Sequence, residues 1–106
     1  MSEFTDITDS FFLSGGSAIS KQAIKYGRFI IVHARAMVSS SGVTVAYFNQ
    51  SNYPSLSTIA GYGQNGSSTL ASVVVNKNST QYYINAYGSS STAVEYEIKA
   101  LLMDLS

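Results

Sequence analysis

Between Tyr26 and Val38 the chain reads YGRFIIVHARAMV, with large or small apolar residues on both alternating parities. A strand covered on two sides has this pattern, whereas a strand with one wet face alternates apolar and polar residues. Similar runs follow: VTVAYF (43–48), LASVVV (70–75), QYYINAY (81–87) and VEYEIKALLM (94–103). They are separated by SSSG, NQSNYPS, GYGQNGSS, NKNS and GSSST, whose Ser, Gly, Asn and Pro residues favour turns. The predicted fold class is therefore all-β: about eight antiparallel strands in a β-sandwich or jelly-roll-like knob. Residues 93–103 are the one stretch that competes as helix, and their β-branched and aromatic content argues for strand.

Along the long run, Arg28, Ile30, Val32, Ala34, Ala36 and Val38 share one parity and are expected to face a core. Phe29, Ile31, His33, Arg35 and Met37 share the other, mixing large apolar groups with two cationic or titratable ones, as a subunit contact would. Residues 18–24 are expected as an edge strand, 59–62 as a short strand, and the glycines at 61, 63 and 66 as keeping the next segment irregular. Phe11-Phe12-Leu13 is a short apolar run ended by Ser14-Gly15-Gly16. Residues 1–10 read as a flexible polar lead-in or the remnant of a longer chain, and 11–106 as a single domain.

Charge narrows the function classes. Six basic residues balance six acidic ones, and charged residues are 11% of the chain, less than half of the usual share of about 25%. Nothing here attracts nucleic acid or an anionic membrane. With 45% hydrophobic residues and so little charge, burial of surface between subunits is expected. There is no cysteine, which excludes disulfides and thiolate metal sites. No secretory signal and no run of 18 apolar residues is visible, so membrane insertion is not expected. The sequons at Asn65 and Asn78 lie in loops rich in Asn and Ser throughout, and read as chance matches.

Convergent catalytic groups are scarce. His33 is the single histidine, placed beside Arg35 on a strand; its expected role is a hydrogen bond at a sheet face or subunit contact. One histidine and scattered carboxylates do not make a three-ligand zinc site, and no G-x-S-x-G elbow occurs. Glu95 and Glu97 share a strand face; their spacing falls within the range that glycosidases use, yet the expectation is a solvated face paired with Lys99. Gly61-Tyr62-Gly63 with Gly66 lacks the Lys-Ser/Thr of a phosphate loop. The chain reads as non-enzymatic and in need of no cofactor.

The tyrosines say more. Eight occur with no tryptophan, and Tyr47, Tyr53, Tyr62 and Tyr87 stand beside polar loops. A tyrosine offers a flat apolar face for a sugar ring and a hydroxyl for hydrogen bonding. Neighbouring Asn49, Gln50, Asn52, Gln64, Asn65 and Asn85 supply donors and acceptors for a hydroxyl-rich ligand. The expected ligand site is shallow and uncharged, near a subunit boundary, and made of Tyr53, Tyr62, Asn65, Tyr87, Asn52 and Gln64. Loops 49–55, 61–68 and 88–92 are expected to gather at one end of the sheets.

The order of these segments resembles the C-terminal head of bacteriophage tail-fibre and baseplate receptor-binding proteins. Shared features are a long apolar strand opening Tyr26-Gly27-Arg28, a hairpin, the Tyr53-Pro54-Ser55 loop, and LASVVVNKNSTQYYINAYGSSS leading to a closing aromatic strand. The family's loop has Arg before the proline, where this chain has Tyr53. The resemblance spans residues 11–105. It implies a homotrimeric β-sandwich on a virion tail, joined to an N-terminal shaft or other tail proteins and binding bacterial surface polysaccharide. The alternatives are a structural virion or appendage subunit without a ligand, and a trimeric jelly-roll module that binds protein.

Overall fold

The computed structural model describes residues 3–66 and 69–105. Met1 and Ser2 of the expected lead-in, Ser67 and Ser68 of the glycine-rich loop, and Ser106 at the end of the expected domain lie outside the described residues. The chain is nearly all β, with 66% of the described residues in strands and 4% in helix. In order come β1 (Thr5–Asp6), α1 (Thr8–Phe11), β2 (Phe12–Leu13), β3 (Ala18–Tyr26), β4 (Phe29–Val38) and β5 (Val43–Asn49). Then follow β6 (Leu56–Asn65), β7 (Thr69–Lys77), β8 (Gln81–Tyr87) and β9 (Val94–Asp104). All nine strands join one antiparallel sheet in the order β1-β3-β4-β9-β6-β7-β8-β5-β2.

The sheet curls because β7 serves two neighbours. Its first residues pair with β6 (Ala71 with Gly63) and the rest pair with β8 (Ser72 with Tyr87 through Lys77 with Tyr82). The curl brings β5 over β3 and β4, and β7 over β9. We refer to β1, β3, β4, β9 and β6 as the front of the sheet, and to β7, β8, β5 and β2 as its back.

Between front and back lies the core. Ile30, Val32, Ala34, Ala36 and Val38 of β4 meet Ile98, Ala100, Leu102, Val45, Phe48, Ile84 and Ala86, all essentially without solvent contact. Each fully buried Ile, Val, Leu or Phe contributes about 1.5–3 kcal/mol relative to exposure. The face expected for the core is therefore the buried one, except that Arg28 falls in a turn and is exposed. Two tyrosines are also core residues, each with its hydroxyl satisfied. Tyr82 accepts a hydrogen bond from Leu56 N and donates to the Pro54 carbonyl, while the Tyr96 hydroxyl sits 3.4 Å from Ser89 N and Oγ.

Several expectations are corrected. The run 26–38 is not one strand: Tyr26 pairs with Phe29 across a two-residue hairpin turn, where Gly27 has φ +60°, a conformation other residues adopt at a cost. The short strand expected over 59–62, and the irregular segment expected after it, give way as far as Asn65 to the ten-residue β6. Gly61 and Gly63 belong to it because the backbone is approached closely there. A Cβ at Gly63 would lie 3.0 Å from the Ala71 Cβ, and one at Gly61 would lie 3.3 Å from Val73, the usual reason for glycine inside a strand.

Residues 5–10 of the expected lead-in form part of the folded structure. Residues 5–13 reach both edges of the curled sheet, with β1 pairing β3 and β2 pairing β5. Exposed edges invite pairing with other chains, and short edge strands blunt them. Between the two, α1 delivers Phe11 into the core, fully buried. Asp6 starts this turn. Its carboxylate accepts hydrogen bonds from Thr8 N (2.9 Å) and Thr8 Oγ1 (2.6 Å), and Thr8 Oγ1 accepts from Ala23 N (3.0 Å).

Candidate functional site

Strand parity divides the outer surface into two contrasting faces. On the front, the register lines up Tyr26, Phe29 and Met103, then Ile24, Ile31 and Leu101, in two apolar rows. Towards the other end follow Gln22, His33, Lys99 and Tyr62, then Arg35, Glu97 and Gln64. Phe29 is 39%, Ile31 41%, Met37 47%, Ile59 48% and Tyr62 44% exposed. Phe4 extends the apolar end by placing its ring 4.6 Å from that of Tyr26.

The polar end of this face is organised by one ion pair. Arg35 reaches diagonally to Glu95, donating from Nε (3.0 Å) and Nη2 (3.1 Å) to the two carboxylate oxygens. Those hydrogen bonds, with the carboxylate's charge second, raise the Arg35 guanidinium above its ordinary pKa. Glu95 is thus held by Arg35, and Lys99, its expected partner, stands in register with His33 and Tyr62 instead. Both members of the pair are well exposed, so it orders the surface more than it stabilises the fold. His33 points outward and makes no side-chain hydrogen bond among the described residues. No group of three metal-ligating side chains converges among the described residues.

The six residues expected to line one ligand site do not converge within a chain. Asn52 and Tyr53 belong to the loop that precedes β6, beside Leu105, whose N–H donates to the Ser55 carbonyl. Asn65 is at the far end of β6, where its Nδ2 donates to the Glu95 carbonyl. Ten residues of strand separate the two ends by about 30 Å. Tyr53 is moreover half-buried, with its ring 5.3 Å from that of Phe11 and Lys25 Nζ over it at 5.4 Å. It is packing, not a free platform. Tyr62 and Gln64 face outward on the front, beside a shallow hollow lined by Gln64, Asn65, Gly66, Glu95 and Glu97. Tyr87 projects from the back. Loops 39–42 and 88–93 do meet at one end, Ser40 N donating to Ser90 O and Gly88 N to Ser39 O; loop 49–55 lies at the other.

The back face is what the loop-centred reading passed over. Along β8, Tyr82, Ile84 and Ala86 point inward, leaving Gln81, Tyr83, Asn85 and Tyr87 outward. On β5, Tyr47 lies opposite Tyr83, with ring centroids 6.2 Å apart, and Thr44 lies opposite Asn85. On β7, Asn76 is opposite Tyr83 and Val74 opposite Asn85. Thr44 Oγ1 donates to Asn85 Oδ1 at 2.7 Å, which fixes that amide and leaves its NH2 without a partner among the described residues. None of these outward side chains is charged. The signal was present in QYYINAY, where one parity is apolar and the other carries only Tyr, Asn and Gln, but nothing local says which parity faces water. Comparison of the chain with protein-family models, with curated proteins and with solved structures finds no match.

Proposed function

We propose that this chain is a non-catalytic receptor-binding head of the bacteriophage tail-fibre or baseplate kind. It would be a homotrimeric β-sandwich of jelly-roll type, carried on the virion tail by a shaft or neighbouring tail proteins, that recognises a saccharide on the bacterial surface. The supporting observation is the division of the outer surface. Exposed apolar side chains concentrate on the front, with Phe29, Ile31 and Met37 together on β4. The outward positions of β5, β8 and the second half of β7 are free of charge and rich in tyrosine and amide groups.

Each half of the surface has a physical use. Contiguous exposed apolar area is costly to leave in water and marks a contact with another protein surface. Tyrosine rings and amides suit hydroxyl-rich, uncharged partners. Weak individual sites on a trimer gain from avidity, which multiplies affinity by roughly 10² or more when geometry permits simultaneous binding. Light scattering at micromolar concentration is the first test, with a mass three times that of the 11.3 kDa chain expected; a monomer would remove the assembly. Binding to immobilised bacterial surface polysaccharide, without release of reducing ends, is the second. Absence of any saccharide binding by the intact oligomer would overturn the reading.

A further inference from the structure

We propose that the ligand is an uncharged saccharide chain and that it lies along the outer face of β7, β8 and β5, not in the loops. Tyr83 and Tyr47 are the stacking platform, and Asn76 and Asn85 are the hydrogen-bonding side chains. The inference rests on the saccharide-binding reading above and assigns it a place and a ligand class.

Geometry supports the platform. Asn76, Tyr83 and Tyr47 stand in one row across three adjacent strands, and neighbouring strands are about 4.8 Å apart, so the row crosses the sheet as an extended strip. Tyr83 and Tyr47 are half-buried at their bases, which limits the side-chain entropy lost on binding. Neither hydroxyl has a hydrogen-bond partner among the described residues, and the same holds for the Asn76 amide. Gly15 lies against the Tyr47 ring, where a Cβ would come within 3.4 Å of it, so the turn helps to hold that ring in place. Asn85 is already oriented by Thr44, as a donor must be to act without reorganisation.

Charge selects the ligand class. No outward residue of these strand segments is ionic, and Lys77, at the end of β7, has the inward parity. A nucleic acid or acidic polymer would find no row of cations to replace its counterions, only the exposed Lys77 at the end of the strip. The front, in contrast, carries Arg35, Glu95, Glu97 and Lys99, and is suited to subunit contact.

The test uses the full chain on a panel of neutral and acidic oligosaccharides, with Tyr83→Ala, Asn76→Arg and Tyr62→Ala as variants and thermal unfolding as a control for folding. Asn76 is at a partly exposed position, so Asn76→Arg keeps the test decisive if Tyr83→Ala fails to fold. Wild type is expected to bind neutral oligosaccharides, and Tyr83→Ala and Asn76→Arg each to weaken binding about 5-fold or more, the size of one lost stacking contact. Tyr62→Ala on the front is expected to bind as wild type does. Wild-type binding that both back-face variants leave unchanged, or that Tyr62→Ala alone removes, would overturn this placement while leaving saccharide recognition intact. Binding confined to acidic glycans would overturn the ligand class. No binding of wild type to either group would remove both this inference and the functional reading.

Discussion

The Phe11 ring stacks on that of Phe48, centroids 4.5 Å apart and planes 18° from parallel, joining the N-terminal segment to β5 in the middle of the core. Phe48 in turn stacks on Tyr82 of β8 at 5.2 Å. Phe12 and Tyr53 meet Phe11 edge-on. A short segment thereby reaches both edges of the sheet and places one fully buried side chain in the core.

Phe11→Ala should therefore destabilise the fold by roughly 3–5 kcal/mol, the usual cost of removing a fully buried phenylalanine. Chemical denaturation should show a lower midpoint with little change in slope. A loss below about 1 kcal/mol would mean that residues 5–13 are dispensable to the core.

Asp6 ties acid stability to the same segment. Hydrogen bonds from the Thr8 hydroxyl first, then from Thr8 N and Gln22, hold its carboxyl below the ordinary value of 3.8. A group whose folded pKa is depressed adds stability above the unfolded value and loses it as pH falls through the folded one. The contribution should thus be intact at neutral pH, begin to fade near 3.8 and be gone only below the lower, folded pKa. Asp6→Asn should flatten that acid limb of the stability curve; unfolding curves between pH 2 and pH 6 that superimpose on wild type after correction for a constant offset would refute the linkage.

The front face offers a separable prediction. Phe29→Glu with Ile31→Glu places charge on exposed positions, where substitutions usually alter stability within about 0.5 kcal/mol. The variant should fold but sediment as a monomer. An unchanged oligomer would exclude this face as the contact.

Gly42 tests how Tyr87 is seated. Its φ is +88°, and a Cβ there would collide with the Tyr87 ring. Gly42→Ala should cost more than the roughly 1–2 kcal/mol of a left-handed alanine. Adding Tyr87→Ala should relieve the steric part, and a double-mutant cycle should return a coupling of about 0.5–3 kcal/mol. Strict additivity would show that the loop moves aside and leaves Tyr87 undisturbed.

By itself the sequence determined that the chain is β-rich and antiparallel, because period-two alternation and Ser/Gly/Asn turns are local properties. It also determined the buried face of β4, since Ile30, Val32, Ala34, Ala36 and Val38 form an unbroken apolar parity. The Tyr26–Phe29 turn is not legible because Gly27 and Arg28 lead directly into the apolar run that starts at Phe29, and only pairing partners reveal where the chain reverses. The length of β6 was missed because Gly61 and Gly63 read as breakers until Val73 and Ala71 are seen pressed against them. Which loops share an end, and which tyrosines stack outward, followed from strand order alone. Tyr53 looks like a loop platform in sequence, yet Phe11, more than forty residues away, draws it into the packing. Tyr83 looks like one more apolar strand residue, yet register with Tyr47 and Asn76 sets it at the centre of an uncharged face. Local spacing encodes alternation, but inside and outside are decided only when distant strands meet and one of the two parities loses its water.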